Sequence, residues 1–367
     1  MTSIAFYGSS LLSSYWNGAA TYYRGILRAL AARGYDITFY EPDAFDRQKH
    51  RDIDPPDWCR VVVYAATPEG LRAAAAEAAQ AGIVIKASGV GYEDDRLLAE
   101  VMAAARPGAL RIFWDVDAPA TLAELRDNPG HPLRQVLADL DLVLTYGGGD
   151  PVVAAYRTLG ARACVPVYNA LDTSTHFPVS PDPRFAADLA FLGNRLPDRE
   201  ARVQQFLFAP ARHLPQMRFL LGGSGWDDAG LPDNLRLLGH VRTADHNAFN
   251  CSPRMVLNIA RDSMAAVGFS PATRVFEAAG AGACLITDYW EGIELFFKPG
   301  EEILVARDGQ DVVDHLAAIT PEEARQIGQR ALARVRRDHS YDQRAAEADT
   351  LFRRHAPGPA ILQGVAP

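Results

Sequence analysis

Short apolar runs alternate with stretches in which apolar residues recur every three or four positions, and this alternation governs the first half of the chain. The run at 4–7 predicts a strand. Residues 21–33 place Tyr22, Ile26, Leu27 and Leu30 on one side of a helix that Gly34 stops, and 36–40 is the next strand. The same reading predicts strands at 61–64, 83–87, 111–114, 142–145 and 163–167, with helices at 68–80, at 94–105 and after Pro151. Short apolar strands separated by helices predict a mostly parallel sheet covered on both faces.

The segment 169–183 breaks the pattern: it holds Pro178, Pro181 and Pro183 with little helical periodicity, and reads as an interdomain linker. A second series follows, with strands at 189–192, 218–221, 235–238, 255–259, 284–287 and 303–305 and helices at 199–208 and 272–279. The stretch 321–355 is helical and rich in arginine. Two doubly wound α/β domains would carry their ligands at the carboxyl ends of the strands, in a cleft between them.

Composition narrows the chemistry. The 367 residues suit two domains, and the net charge of 37 − 45 = −8 argues against a general nucleic-acid binder. No apolar run reaches the ~18 residues of a membrane span, and the start MTSIAFYGSS lacks a charged n-region and an apolar core, so a cytoplasmic location is expected. Cys59, Cys164, Cys251 and Cys284 form no CxxC pair and read as small buried hydrophobes in a reducing compartment. Lys49, Lys86 and Lys298 are the only lysines, so 37 − 3 = 34 of the basic residues are arginines. Schiff-base chemistry therefore has few candidates, whereas arginine forks for an anion are plentiful.

The most informative stretch is NIARDSMAAVGFSPATRVFEAAGAG, 258–282. It follows a strand, and a helix is expected to open inside it with Ser270 as N-cap and Pro271 at the first turn. Such an N-terminus is a phosphate site. Thr273 and Glu277 share a helix face, and Glu277 lies roughly 9 Å along the axis from Pro271. A pyrophosphate at the helix start would leave a ribose diol near that carboxylate. Arg195 and Arg261 each follow a strand, and with Arg274 they would hold a diphosphate.

These residues resemble the nucleotide-binding domain of GT-B-fold glycosyltransferases, and more narrowly the spore-maturation CgeB-like glycosyltransferase family. The matching stretches are Leu192-Gly193-Asn194-Arg195 with Asp198-Arg199, Gly239-His240-Val241 with Asp245-His246, 257–264, and Gly268-Phe269-Ser270-Pro271-Ala272-Thr273-Arg274-Val275-Phe276-Glu277-Ala278-Ala279. Residues 294–306, the loop from Gly8, Asn17-Gly18 and Trp114-Asp115-Val116-Asp117-Ala118-Pro119 fit as well. The resemblance implies two Rossmann-like doubly wound domains: 1–170 for the acceptor, joined by a returning helix 341–356, and 171–340 for the nucleotide-sugar donor. It implies that Glu277 binds the ribose, that His240, Val241 and Arg242 lie against the base, and that Arg195 with Ser270, Pro271, Thr273 and Arg274 holds the pyrophosphate. Asn194, Asn258 and Arg261 complete the expected donor set. Many retaining relatives carry a second glutamate eight residues before the ribose glutamate; here that position is Phe269.

Asp115-Val116-Asp117 is literally a DxD motif, the pattern that holds a divalent metal in another transferase fold. The two-domain pattern does not suit that fold, so no metal is expected. Helix capping is one reading, and an acid at a strand end that deprotonates an acceptor hydroxyl is the other, with Asp117 or Asp115 as base. Asn17-Gly18 is expected to make a left-handed turn near the sugar. Tyr15, Trp16, Tyr22 and Tyr23 would stack on it or pack the core, and Gly148 would open a strand-to-helix turn on the same side. His176 and His246 read as structural, while His240 is retained for the base pocket. The expected activity is metal-independent sugar transfer from a nucleoside diphosphate, of UDP type, to an unidentified glycan, protein or small molecule, with no cofactor. A nucleotide-sugar epimerase or hydrolase, or a non-catalytic nucleotide-sugar-binding protein, is the alternative on the same fold.

Overall fold

The computed structural model describes residues 1–15, 17–227 and 230–356. Trp16 lies outside them. The described chain divides into two compact units, one formed by Met1–Tyr168 together with the chain from Tyr341, the other by Asn169–Ser340.

The first unit alternates strand and helix: β1 (Thr2–Tyr7), α1 (Ala19–Ala32), β2 (Tyr35–Asp43), β3 (Arg60–Ala65), α2 (Pro68–Ala76), β4 (Ile83–Ala87), α3 (Asp94–Ala104), β5 (Leu110–Asp115), α4 (Ala118–Asp127), α5 (Pro132–Val136), β6 (Leu142–Thr145), α6 (Gly149–Thr158) and β7 (Cys164–Pro166). Among the described residues these strands form one seven-stranded sheet in the order β3-β2-β1-β4-β5-β6-β7. Every neighbouring pair is parallel. The strands are apolar on both faces because helices cover both. Ile4, Phe6, Ile83, Val84, Ile112 and Leu142 are all buried. The strand order reverses between β1 and β4, which makes the loops after these strands the place where an open sheet admits a ligand.

The second unit repeats the scheme. It runs through β8 (Leu189–Leu192), α7 (Pro197–Val203), a π-helical turn Gln204–Phe208, α8 (Ala209–His213), β9 (Phe219–Gly222), β10 (Leu235–Gly239), α9 (His246–Cys251), β11 (Met255–Asn258), α10 (Asp262–Val267), α11 (Thr273–Gly280), β12 (Leu285–Asp288), β13 (Leu304–Ala306), α12 (Gly309–Ala318) and α13 (Pro321–Asp338). Its six-stranded sheet has the order β10-β9-β8-β11-β12-β13, again parallel, and reverses between β8 and β11.

One local expectation is revised, one is refined, and further helices are added. The segment 169–183 is not a free linker. Leu171 donates its N–H to the His339 carbonyl at 2.8 Å, and Asn169, Asp172 and His176 are buried, all within the second unit. The arginine-rich stretch 321–355 is two helices. The capping box of Thr320 and Glu323 opens α13, which ends at Asp338, and α14 (Tyr341–His355) follows in the first unit. There α14 returns to α1: the Tyr341 ring meets Tyr22 edge-on at 5.8 Å, and the Tyr35 hydroxyl donates to Asp349 at 2.6 Å. Finally, α4, α10 and α12 are helices beyond those expected. The three buried side chains that α12 contributes to the core, Val312, Val313 and Leu316, are spaced for a helix but flanked by Asp and Gln.

Among the described residues no helix is long and apolar enough to cross a membrane. All four cysteines are free thiols. Burial pushes Cys59, Cys164 and Cys284 up to about 12, so these three are packing residues with no thiolate at neutral pH.

Candidate functional site

In the second unit the loops that leave β8 and β11 flank the point of strand reversal. They carry Asn194 and Arg195 on one side and Arg261 on the other. The helix expected to open at Ser270 opens two residues later. Its N-cap is Ala272, which has no side chain able to cap, so the first turn at Thr273 and Arg274 lacks the usual side-chain acceptor. Ser270 does not cap. It is 6% exposed, and its hydroxyl is buried without a hydrogen-bond partner among the described residues. Pro271 is buried too, and its carbonyl accepts from Asn169 at 3.3 Å. Just before it, Phe269 stands at φ 48, a left-handed conformation that is costly for a bulky residue. The loop is held there by the Phe269 N–H donating to the Glu291 carbonyl at 2.6 Å.

Guanidinium groups gather beside this helix start. Arg195 donates to Glu200 at 2.6 Å and to the Gly225 carbonyl at 3.4 Å. Asn194 accepts the Ser224 N–H at 3.0 Å and so fixes the loop that carries Arg195. Arg261 donates to Asp198 at 2.7 Å. Burial holds Arg274 below the usual arginine range, and Glu277 works against that. A fourth arginine completes the group. Burial, and after it the charge of Arg274, pull Arg199 down to about 10; Arg261 adds to this, while Asp198 and Asp288 oppose it. Arg199 donates to the Asn194 carbonyl, lies over the Phe191 ring at 5.6 Å, and has a buried Nε with no partner among the described residues. Gly193 makes room for it, since a Cβ there would stand 3.0 Å from an Arg199 Nη and 2.8 Å from Phe191. Arg199 belongs to the motif but not to the expected donor set. Its signal lay in its position at the third residue of α7, one turn beyond Arg195. Like charges held together with donors to spare constitute a receptor for a multiply charged anion.

Glu277 lies on α11 with its side chain 13% exposed, and its Oε1 is 3.9 Å from His176 Nε2. The His246 ring is 6.4 Å from that of His176. Burial keeps His246 below the ordinary histidine range; Glu277 and a backbone bond to Val241 oppose this, and Arg274 and His176 reinforce it. From the sequence both histidines read as structural. They are drawn together by Asn247, which donates to the Thr175 carbonyl at 2.9 Å and accepts the Phe177 N–H at 3.3 Å, one bond on each side of His176. Nothing in the sequence links positions 176 and 277.

Two expected donor residues do not offer their side chains. Asn258 is buried, and its amide donates to Thr287 at 3.0 Å, a bond between neighbouring strands. Val241 is buried in the core of the second unit with Leu192, Leu220 and Phe249, so only its backbone is available. His240 and Arg242, on either side, are exposed.

In the first unit the DxD pair separates into two roles. Asp115 is fully buried. Its Oδ1 accepts from Ser88 at 2.7 Å, Thr121 at 3.0 Å and the Asp117 N–H at 3.0 Å, and its Oδ2 accepts from Tyr156 at 2.5 Å. Burial raises its carboxyl above the usual range, and these bonds counter that. Asp115 is thus a spent structural carboxylate, not an accessible base. Asp117 stands at the N-cap of α4, half-buried, without capping the helix through its side chain. It lines a cavity of about 580 Å³ together with Ser88, Phe113 and Thr121.

The other first-unit expectations change more. Gly18 is right-handed, at φ −63 and ψ −19, so there is no left-handed turn at Asn17-Gly18. The Asn17 side chain is consumed locally. It donates to the Ser10 and Ser13 carbonyls at 2.8 and 3.0 Å and accepts from Ser9 at 2.8 Å. Tyr22 is core, not a sugar platform: it is 2% exposed, donates to the Val167 carbonyl at 2.7 Å and accepts from Trp114 at 3.0 Å. Gly148 opens the strand-to-helix turn expected of it, between β6 and α6, and meets a backbone requirement there. It sits at φ 94, and a Cβ would lie 2.1 Å from Val152 Cγ2. Gly148→Ala is therefore expected to cost about 2–5 kcal/mol from the left-handed backbone and the clash combined. Urea denaturation of the full chain measures it, and a loss below about 0.5 kcal/mol would remove the requirement.

Residues 199–350 match the family described as Glycosyl transferase-like. No curated protein matches the chain. Among solved structures it is similar to sucrose-phosphate synthase from Thermosynechococcus elongatus, at 14% identity and a TM-score of 0.69 over 96% of this chain and 99% of that one. It is similar to Anabaena HepE in complex with UDP and glucose, at 14% identity and a TM-score of 0.66 over 96% and 100%. It is also similar to an alpha-glucosyltransferase in complex with UDP and a 13-mer DNA, at 11% identity and a TM-score of 0.68 over 96% and 99%. Two parallel-sheet Rossmann-like units of this kind are the fold of these structures, the GT-B fold, and residues 199–350 carry the match to the glycosyl transferase-like family.

Proposed function

We propose that the chain transfers a sugar from a UDP-type nucleotide donor to an acceptor hydroxyl without a metal ion. The observation that carries this reading is the convergence of Arg199, Arg261 and Arg274 beside the uncapped start of α11, with Glu277 one turn further along the same helix. The spacing suits a diphosphate followed by a ribose. The diphosphate meets guanidinium forks and free backbone N–H groups, and the diol donates two hydrogen bonds to the Glu277 carboxylate. UDP is the nucleotide held by the Anabaena structure, which supports the choice of base. The SPxxRxFEAA run supports the narrower CgeB-like kinship. Four free cysteines support a reducing, cytoplasmic setting. The net charge of −8 does not favour DNA as acceptor.

In the step we assign, the acceptor oxygen bonds to the anomeric carbon, the bond from that carbon to the phosphate oxygen breaks, and Asp117 takes the acceptor proton. The departing diphosphate carries charge that the arginines already balance, so little reorganisation is needed as it leaves.

Glu277→Ala tests the donor reading. Hydrogen bonds to a charged group contribute about 1.5–3 kcal/mol, so UDP affinity is expected to fall roughly 10–150-fold by calorimetry. The native chain should prefer UDP over its 2′,3′-dideoxy counterpart, and the variant should not. Unchanged affinity would remove the ribose role.

A further inference from the structure

A cavity opens at the end of the second unit's sheet that faces away from the donor loops. Asp188, Arg218, Arg254 and Cys284 line it, and each immediately precedes a strand: β8, β9, β11 and β12. It therefore sits at the amino ends of the strands, whereas the loops carrying Arg195 and Arg261 leave the carboxyl ends of β8 and β11. Its volume, about 500 Å³, suits a small ligand.

The walls are tied together by the protein itself. The Val179 N–H donates to the Cys251 thiol at 3.4 Å, and that thiol donates to the Ala281 carbonyl at 3.2 Å. The Asp182 N–H donates to the Ser252 hydroxyl at 2.8 Å. Arg254 donates through its two Nη atoms to the Leu316 and Ile319 carbonyls, at 2.9 and 3.4 Å, where α12 ends.

Within this frame two polar groups are left over. Asn250 lines the cavity and is 1% exposed, and its Oδ1 is buried with no hydrogen-bond partner among the described residues. A carboxamide so placed has given up water and gained nothing in return. The Arg254 Nε is likewise buried without a hydrogen bond. Asp188 Oδ1 stands 3.8 Å from it, close enough for attraction between the charges but too far for a hydrogen bond. An acceptor at Asn250, a donor at Arg254 and a second acceptor at Asp188 are of mixed sense. That suits hydroxyl groups, each of which both donates and accepts. Pro178, Val179, Pro181, Pro253 and Ala283 supply apolar surface for the C–H faces between those hydroxyls.

Charge adds the other half of the ligand. Arg218, Arg254 and Arg325 line the cavity against one carboxylate, that of Asp188. Glu322 is paired with Arg325 and takes up part of the excess, while Arg218 is exposed. The same positive field is felt at Cys284, where Arg254 and Arg330 oppose the burial that raises the thiol.

We propose that this cavity is a second binding site and that it takes a small phosphorylated polyol, such as a pentose phosphate. The hydroxyl groups face Asn250 and the pair Arg254 and Asp188, and the phosphate meets Arg218 and Arg325. The site is separate from the donor residues, so it does not depend on the glycosyl-transfer reading and does not compete with a nucleotide.

The test is calorimetric titration of the full chain with ribose 5-phosphate, ribose and inorganic phosphate, each with and without saturating UDP. Ribose 5-phosphate should bind at least tenfold tighter than either part, as expected when a charge-assisted contact is added to neutral ones, and UDP should not displace it. Asn250→Leu keeps the branched shape and removes the unpartnered amide. It should raise the thermal midpoint of the ligand-free chain and weaken ribose 5-phosphate about tenfold. The double variant Arg218→Ala, Arg325→Ala changes only exposed side chains, so it carries the test even where Asn250→Leu does not fold. It should bring ribose 5-phosphate to the level of ribose. UDP affinity should stay native in every variant. Absence of ribose 5-phosphate binding, its displacement by UDP, inorganic phosphate binding as tightly as the ester, or native ribose 5-phosphate affinity in either variant would overturn the proposal.

Discussion

Arg274→Ala should weaken UDP binding about 100-fold and leave uridine binding nearly unchanged. The side chain begins at the first turn of α11 and is held below the usual arginine range by burial. That burial is costly unless an anion arrives to balance the charge. Arg199 faces the same problem, pulled down by burial and by Arg274 itself. A diphosphate resolves both at once, so removing one fork loses a charge-assisted bond in a water-poor site, a loss on the order of 10²-fold. Arg274→Lys keeps the charge but not the fork, and should fall between the two. The pair UDP and uridine makes the measurement specific: Glu277→Ala should harm both ligands, and Arg274→Ala only the one with phosphates. Equal loss for uridine would show that the arginine supports the fold of the site and not the diphosphate.

The second large effect separates two aspartates that are two residues apart. Asp115→Ala should destabilise the first unit by more than about 3 kcal/mol, because it orphans several buried donors at about 1–3 kcal/mol each. Tyr156, Ser88, Thr121 and the Asp117 N–H all bond to that carboxylate. In a chain with a stability of about 5–15 kcal/mol, such a loss is visible as poor refolding and a lowered thermal midpoint. Asp117→Asn should melt like the native chain and bind UDP normally, yet turn over roughly 10²–10⁴-fold more slowly, the range for losing a general base. Native turnover in Asp117→Asn would clear it of that role. A stable, soluble Asp115→Ala would show that the buried network is not what holds the end of β5.

Much of the fold is legible from local pattern. Parallel strands buried on both faces must be short and apolar, and runs such as 83–87 and 189–192 have few other uses. The donor motif is legible for a related reason. Thr273, Arg274 and Glu277 lie on one helix, so their spacing in the chain is their spacing in space.

What escaped the pattern depends on contacts between residues distant in sequence. DxD reads as two equal acids; only the packing of α6 and the loop after β4 brings Tyr156 and Ser88 onto Asp115 and leaves Asp117 on the cavity wall. Tyr22 reads equally as a sugar platform or as core, and the Val167 carbonyl and Trp114 claim its hydroxyl. Ser270 reads as a cap by residue type, yet Phe269 at φ 48 turns the chain so that the helix begins after Ala272. His176 reaches Glu277 across a hundred residues because Asn247 pins its loop. Periodicity and short spacing therefore specify the elements and the ligand class they suit. Burial and long-range hydrogen bonding, which depend on the whole assembled unit, decide which of several identical side chains is spent on structure and which is left to act.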